Sequence, residues 1–178
     1  MIGDRVEVNV AGGLDIPLPK MSLVRQIFNA EKINDISKII AAEFLKPEIL
    51  KTIKPGQTVA VGCGSRGVAN IAIIVKAVIN ELKMRGVRPF IFPCMGSHGS
   101  ATAEGQNAVL GSYGITEKSM GVPIKSSMDT LVTGSLDDGT PVYMDQNAAE
   151  ADGVVVINRI KPHTSFRGSI ESGLTKML

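Results

Sequence analysis

Three residues stand where proton and anion chemistry is commonly done. His163 lies within residues 157–178, INRIKPHTSFRGSIESGLTKML, a stretch that collects a histidine, two arginines, two lysines and a glutamate and is punctuated by Pro162 and Gly168. His98 lies in Gly96-Ser97-His98-Gly99-Ser100, and Arg66 in Gly62-Cys63-Gly64-Ser65-Arg66-Gly67. The chain has two histidines, and each, like Arg66, follows an apolar run that reads as a strand. Polar side chains on loops leaving buried strands are what an α/β site is made of. An imidazole moves a proton near neutral pH, its unperturbed pKa being about 6.5. Two of them, facing a ligand from opposite sides, suit a reaction that removes a proton or hydride equivalent from one face and returns it to the other. An arginine matches a carboxylate with two parallel hydrogen bonds. The bland readings are two structural loop histidines, His98 capping the helix after it, and a solvated arginine. The shared topological position of the histidines favours one common site.

For the loops to meet, the strands before them must lie side by side. Residues 58–61 read as a short buried strand, 90–93 as a second, and 154–157 as the most apolar of all. Between the first two, residues 68–85 carry apolar side chains at 68, 71, 74, 75, 78, 79 and 82, a helical period, and end on Lys83, Arg85 and Gly86. Residues 102–110 predict a shorter helix with Glu104 near its positive end, and residues 35–45 another, stopped by Pro47. Strand, glycine loop and helix, twice over, is the rhythm of a parallel sheet with helices on its faces. Residues 122–124, 131–132 and 141–144 predict short strands, with Asp137-Asp138-Gly139 turning between the last two, and residues 148–151 a helical turn. Ahead of all this, residues 6–10 read as an edge strand; Pro17 and Pro19 then forbid a central one. The predicted fold is α/β: a Rossmann-like, largely parallel sheet with helices on both faces, read as one domain over 1–178, its site at the C-terminal strand ends.

Bulk properties exclude some classes. The 178 residues can bury a substantial core. Net charge is +2, Trp is absent, and there are only two Tyr and five Phe, so base-stacking platforms are scarce and nucleic-acid binding is disfavoured. Cys63 and Cys94 are too far apart for a CxxC motif and read as small hydrophobes in a reducing compartment. The start, MIGDRVEVNV, carries Asp4 and no long apolar core, unlike a signal peptide, and the longest nearly uncharged run, 67–75, is too short to span a bilayer. A cytoplasmic protein without membrane or nucleic-acid partners is expected. The sequence stops at Lys176-Met177-Leu178 inside a helix-like stretch with no cap, which predicts a fragment whose next element is missing.

Gly62-x-Gly64-x-x-Gly67 follows a strand and opens a helix, as the dinucleotide fingerprint does. Glycines admit a ligand to the backbone, and a helix N-terminus offers N–H groups and partial positive charge to an anion. The fingerprint also needs an acid at the end of the next strand to hold a ribose hydroxyl. Here that strand ends in Pro93-Cys94-Met95-Gly96-Ser97-His98 with no carboxylate, and Glu81 is inside the helix. Anion or cofactor binding at Gly64 and Gly67 is retained and dinucleotide binding demoted. Lys176 by itself reads as a solvated lysine; a chemical role needs a lowered pKa or a covalent partner.

GSRG around Arg66, MGSHGSAT around His98 and IKPHTSFRGSIESGLTKML around His163 and Lys176 together resemble the N-terminal domain of the nickel-pincer lactate racemase (larA-like) family of α-hydroxy-acid racemases and epimerases, over most of residues 15–178. The resemblance implies an isomerase whose nickel-pincer nucleotide accepts a hydride from the α-carbon. It implies that Arg66 holds the substrate carboxylate, that His98 and His163 are the two acid/base residues on the hydroxyl proton, and that Lys176 is joined to the cofactor through a thioamide. The family's nickel-ligating histidine lies downstream of its lysine, and a C-terminal domain closes the cleft; both fall outside this sequence, so no metal ligand is assigned in it. At the arginine the family usually has an Asp, a Thr and a following Pro, where this chain has Cys63-Gly64-Ser65-Arg66-Gly67. The implied partners are a small 2-hydroxy acid and the missing domain, in the same or a companion chain, with homo-oligomerisation left open. The alternatives are a dinucleotide-binding domain of a dehydrogenase and a non-catalytic carboxylate-binding remnant.

Overall fold

In the computed structural model of the chain, residues 20–28, 31–65, 67–159 and 167–168 are described. Arg66, His163, Lys176 and the strand expected at 6–10 lie outside the described residues. The chain divides into two compact units, Met1–Lys32 and Ile33–Leu178. The described residues of the first are exposed and form neither helix nor strand.

The second unit runs α1 (Ile36–Phe44), α2 (Pro47–Leu50), β1 (Thr58–Cys63), α3 (Ile71–Met84), β2 (Arg88–Pro93), α4 (Ala103–Ser112), α5 (Glu117–Met120), β3 (Thr130–Ser135), β4 (Pro141–Asp145), α6 (Gln146–Ala149) and β5 (Gly153–Ile157). Strands β2, β1 and β5 form a parallel sheet in that order, with β1 in the centre. Cys63 is in register with both Pro93 and Ile157, so all three strands end level. The segments that leave the three strands therefore start along one edge. Outside β2, Ile124 adds a parallel bridge to Ile91, whose N–H donates to Pro123 O at 2.9 Å.

Alternation along β1 builds two cores. Val59, Val61 and Cys63 pack on one face with Val75, Val78, Ile79 and Leu82 of α3, Phe44 of α1 and Leu110 of α4. Ala60 faces the other way, with Phe90, Phe92 and Cys94, under Ala148 of α6 and Met144 of β4. The α/β class with helices on both faces holds, the second face being covered by one helical turn and by Met144 of β4.

Several boundaries move for identifiable reasons. Strand β1 continues through Gly62 and Cys63, which the sequence assigns to the loop. A Cβ on Gly62 would come within 2.9 Å of the Phe92 ring, so the first glycine of the fingerprint admits a neighbouring aromatic side chain. Helix α3 starts at Ile71 because Asn70 turns left-handed at φ 57°. It docks α1 through Arg85, whose Nη1 pairs with buried Glu81 at 2.6 Å while its guanidinium lies 5.1 Å from the centre of the Phe44 ring. Asp35 caps α1, its Oδ1 accepting from Lys38 N at 2.9 Å. Helices α2 and α5, each four residues long, escape sequence reading. Thr58 fixes the start of β5 by donating from its N–H (2.7 Å) and hydroxyl (2.8 Å) to Asp152, which holds that carboxyl below its ordinary range. No helix among the described residues is long and apolar enough to cross a membrane.

The two cysteines lie on opposite faces of the sheet and are not joined in a disulfide. Burial pushes the Cys63 thiol up to about 12 and the Cys94 thiol to about 11. Since the thiolate is the reactive form, Ellman's reagent at pH 8 is expected to titrate neither thiol in the folded protein and both after denaturation. A fast-reacting thiol in the folded state would contradict this placement.

Candidate functional site

The site is built where β1, β2 and β5 end. In the sheet order, β2 flanks β1 on one side and β5 on the other, so the order in which strands are added reverses between β1 and β5. The crevice outside such a reversal is where open α/β sheets bind ligands. Three fastenings draw the loops together there. Cys94 N donates to Cys63 O at 2.9 Å, and Gly64 N to Ile157 O at 3.0 Å, extending the pairing one step past the strands. Arg159 Nη1 donates to Gly67 O at 3.2 Å. A hydrogen bond also joins buried Ser65 Oγ to His98 Nδ1.

Each glycine has a local reason. At Gly64 a Cβ would sit 2.9 Å from Asn158 Oδ1, and at Gly67, where φ is +73°, one would sit 2.8 Å from Arg159 Nη1. Asn158 Oδ1 in turn accepts from Arg159 N at 2.8 Å. The space beside both glycines is thus filled by the first two residues of the β5 loop. Position 66 falls between Ser65, tied to the β2 loop, and Gly67, tied to the β5 loop.

His98 is set by its own loop. Gln106, buried on α4, donates from Nε2 to Gly96 O at 2.8 Å, and His98 N donates to Met95 O at 3.3 Å. A 3-10 turn at Gly99–Ala101 follows, with Ser100 and Ala101 at φ 59° and 53°. Its backbone presses on α4: a Cβ on Gly105 would lie 1.9 Å from Gly99 O. The side chain that caps α4 is Thr102, accepting from Gly105 N at 3.0 Å, while the His98 side chain makes no capping bond. The capping explanation of His98 therefore fails, and its half-buried ring is engaged with another loop.

A pocket of about 210 Å³ opens beside the end of β2, lined among others by Cys94, Met95, Gly96, Gln106, Tyr143 and Asp145. Burial raises the Asp145 carboxyl above its ordinary range despite the bond it accepts from Ala148 N in capping α6. Among the described residues, no group of three or more His, Cys, Asp or Glu is placed to hold a metal. They suit an anion and a proton and do not by themselves make up a set of nickel ligands.

Of the residues singled out in the sequence, Gly64, Gly67 and His98 are brought to one edge, while Arg66, His163 and Lys176 lie outside the described residues. Sequence reading missed Ser65, Asn158 and Arg159. Arg159 had a usable signal, a cation two residues past a strand that faces the reversal point; the buried Ser65 hydroxyl had none.

A glycine loop and a histidine tied together at level ends of a small parallel sheet mark a Rossmann-like α/β domain with a candidate site on the C-terminal edge. The chain belongs to the lactate racemase N-terminal domain family, whose model matches residues 14–168. That range takes in Arg66, His98 and His163 and stops short of Lys176. Neither a curated protein nor a solved structure matches the chain.

Proposed function

We propose that the chain is the catalytic N-terminal portion of a racemase or epimerase acting on a small 2-hydroxy acid, with a nickel-pincer nucleotide as its cofactor. The observation that carries this reading is the Ser65–His98 bond across two loops at the C-terminal edge, within a chain of the lactate racemase N-terminal domain family. In this reading Arg66 holds the substrate carboxylate by a two-pronged hydrogen bond. His98 takes up or returns the hydroxyl proton for one enantiomer, and His163 does so for the other. Arg159, fastened to Gly67 O, steadies the loop on which Arg66 sits and adds positive charge near an acid. When bound, the pincer nucleotide supplies a hydride acceptor for the α-carbon, and Lys176 is its attachment point. The described residues offer no nickel cage, and the family resemblance places the nickel-ligating histidine downstream of its lysine.

Intact-mass analysis of the chain co-expressed with pincer-cofactor biosynthesis, paired with chiral chromatography of small 2-hydroxy acids, tests the reading. An adduct mapped to Lys176 together with interconversion of enantiomers is expected. An unmodified Lys176 and no interconversion, with the domain that completes the cleft supplied, overturn it.

A further inference from the structure

We infer that Ser65 is a positioning residue for His98: its hydroxyl oxygen accepts from Nδ1–H and holds the neutral ring in the tautomer whose lone pair lies on Nε2. This rests on the reading of His98 as an acid/base residue. The heavy atoms alone allow the bond to run either way, because a hydroxyl both donates and accepts. The chemistry selects the direction. A histidine that takes up a proton passes from neutral imidazole to imidazolium, which carries N–H on both nitrogens. If Ser65 already accepts from Nδ1–H, the same bond serves both states and only Nε2 changes. If Ser65 donated to Nδ1, the proton would have to arrive at Nδ1, on the buried side, and the hydroxyl would have to turn.

The surroundings make Ser65 a fixed reference. It is 8% exposed, and its loop is fastened on one side by Gly64 N to Ile157 O and on the other by Arg159 to Gly67 O. His98 is held independently, its loop braced by Gln106 and by the contact of Gly99 with α4. Two separately anchored loops thus set the ring from opposite ends, as an orienting partner sets the imidazole of a catalytic triad. Here the partner is a neutral hydroxyl, which fixes the ring without adding a negative charge beside it.

Nitrogen-15 spectra of the imidazole, recorded where the ring is neutral, read the tautomer directly and need neither substrate nor cofactor. His163→Gln leaves one histidine and so assigns the signals. The wild-type His98 is expected to show a protonated Nδ1 and a bare Nε2. Ser65→Ala is expected to shift the signals toward the Nε2–H form, and Ser65→Thr to restore the wild-type pattern. In the loaded enzyme Ser65→Ala should lower kcat roughly 10- to 100-fold with KM little changed, and Ser65→Thr should recover most of it. A wild-type spectrum with Nε2 protonated overturns the assignment, whatever Ser65→Ala does to folding; so does a Ser65→Ala spectrum that matches wild type. A bare Nε2 in a protein that interconverts no hydroxy acid would retire the racemase reading and leave the Ser65–His98 orientation standing.

Discussion

His98→Gln is expected to lower racemisation by about 1,000-fold, the middle of the range for losing a positioned proton-transfer group, while leaving the fold intact. Glutamine keeps a polar group within reach of Ser65 Oγ, so the buried hydroxyl is not orphaned, a loss that on its own costs about 1–3 kcal/mol. What glutamine cannot do is take up a proton. Substrate affinity should change little, because the carboxylate is assigned to Arg66. The effect therefore belongs in kcat, which marks an interaction made in the transition state. Interconversion of enantiomers has an equilibrium constant of one, so kcat/KM must fall by the same factor in both directions even though His98 serves one face. Chiral chromatography of initial rates from each enantiomer checks both points, and a thermal melt superimposable on wild type checks the fold. Activity within a few-fold of wild type would remove His98 from the chemistry.

The sheet was legible because its signals are local. Apolar runs at β1, β2 and β5, each followed by glycine or proline and spaced by a helical period over α3, leave few ways to arrange the chain. The turn at 137–139 was equally plain from Asp137-Asp138-Gly139. Misreadings occurred where a residue answers to something distant in sequence. Gly62 looked like a loop glycine and is a strand glycine, made necessary by Phe92 on the neighbouring strand. The start of α3 was placed too early because nothing in Val68-Ala69-Asn70 announces that Asn70 turns left-handed. The site divides the same way. That His98 stands at a strand end follows from its neighbours, but its partner is 33 residues away, and Arg159 reaches back 92 residues to Gly67. Such pairs are decided by tertiary packing and leave no periodic trace.

Gly105→Ala is expected to destabilise the protein, although alanine is the better helix former. Gly105 lies in the first turn of α4, where intrinsic propensity alone favours alanine by about 1 kcal/mol. Its added Cβ, however, would sit 1.9 Å from Gly99 O, 2.7 Å from Gly99 C and 2.9 Å from Thr102 Oγ1. The first two are backbone atoms and cannot rotate away. Either α4 lifts from the 3-10 turn or Gly99 moves, and Gly99, at φ +63°, would meet the backbone of Gly105 and Gln106 within 2.6 Å if it carried a Cβ of its own. Overpacking of this kind costs about 1–3 kcal/mol and sometimes more. Set against the propensity gain, a net loss of about 1 kcal/mol remains at the middle of that range, or roughly 2–4 °C in Tm for a chain of this length. Because the displaced turn begins immediately after His98, activity should fall with stability. Gly111, on the same helix, is the control: it is exposed and a Cβ there meets nothing within 4 Å, so Gly111→Ala should stabilise by about 0.5–1 kcal/mol. Paired thermal melts read both, and a Gly105→Ala protein as stable as Gly111→Ala would mean that α4 does not pack on the histidine loop in this way.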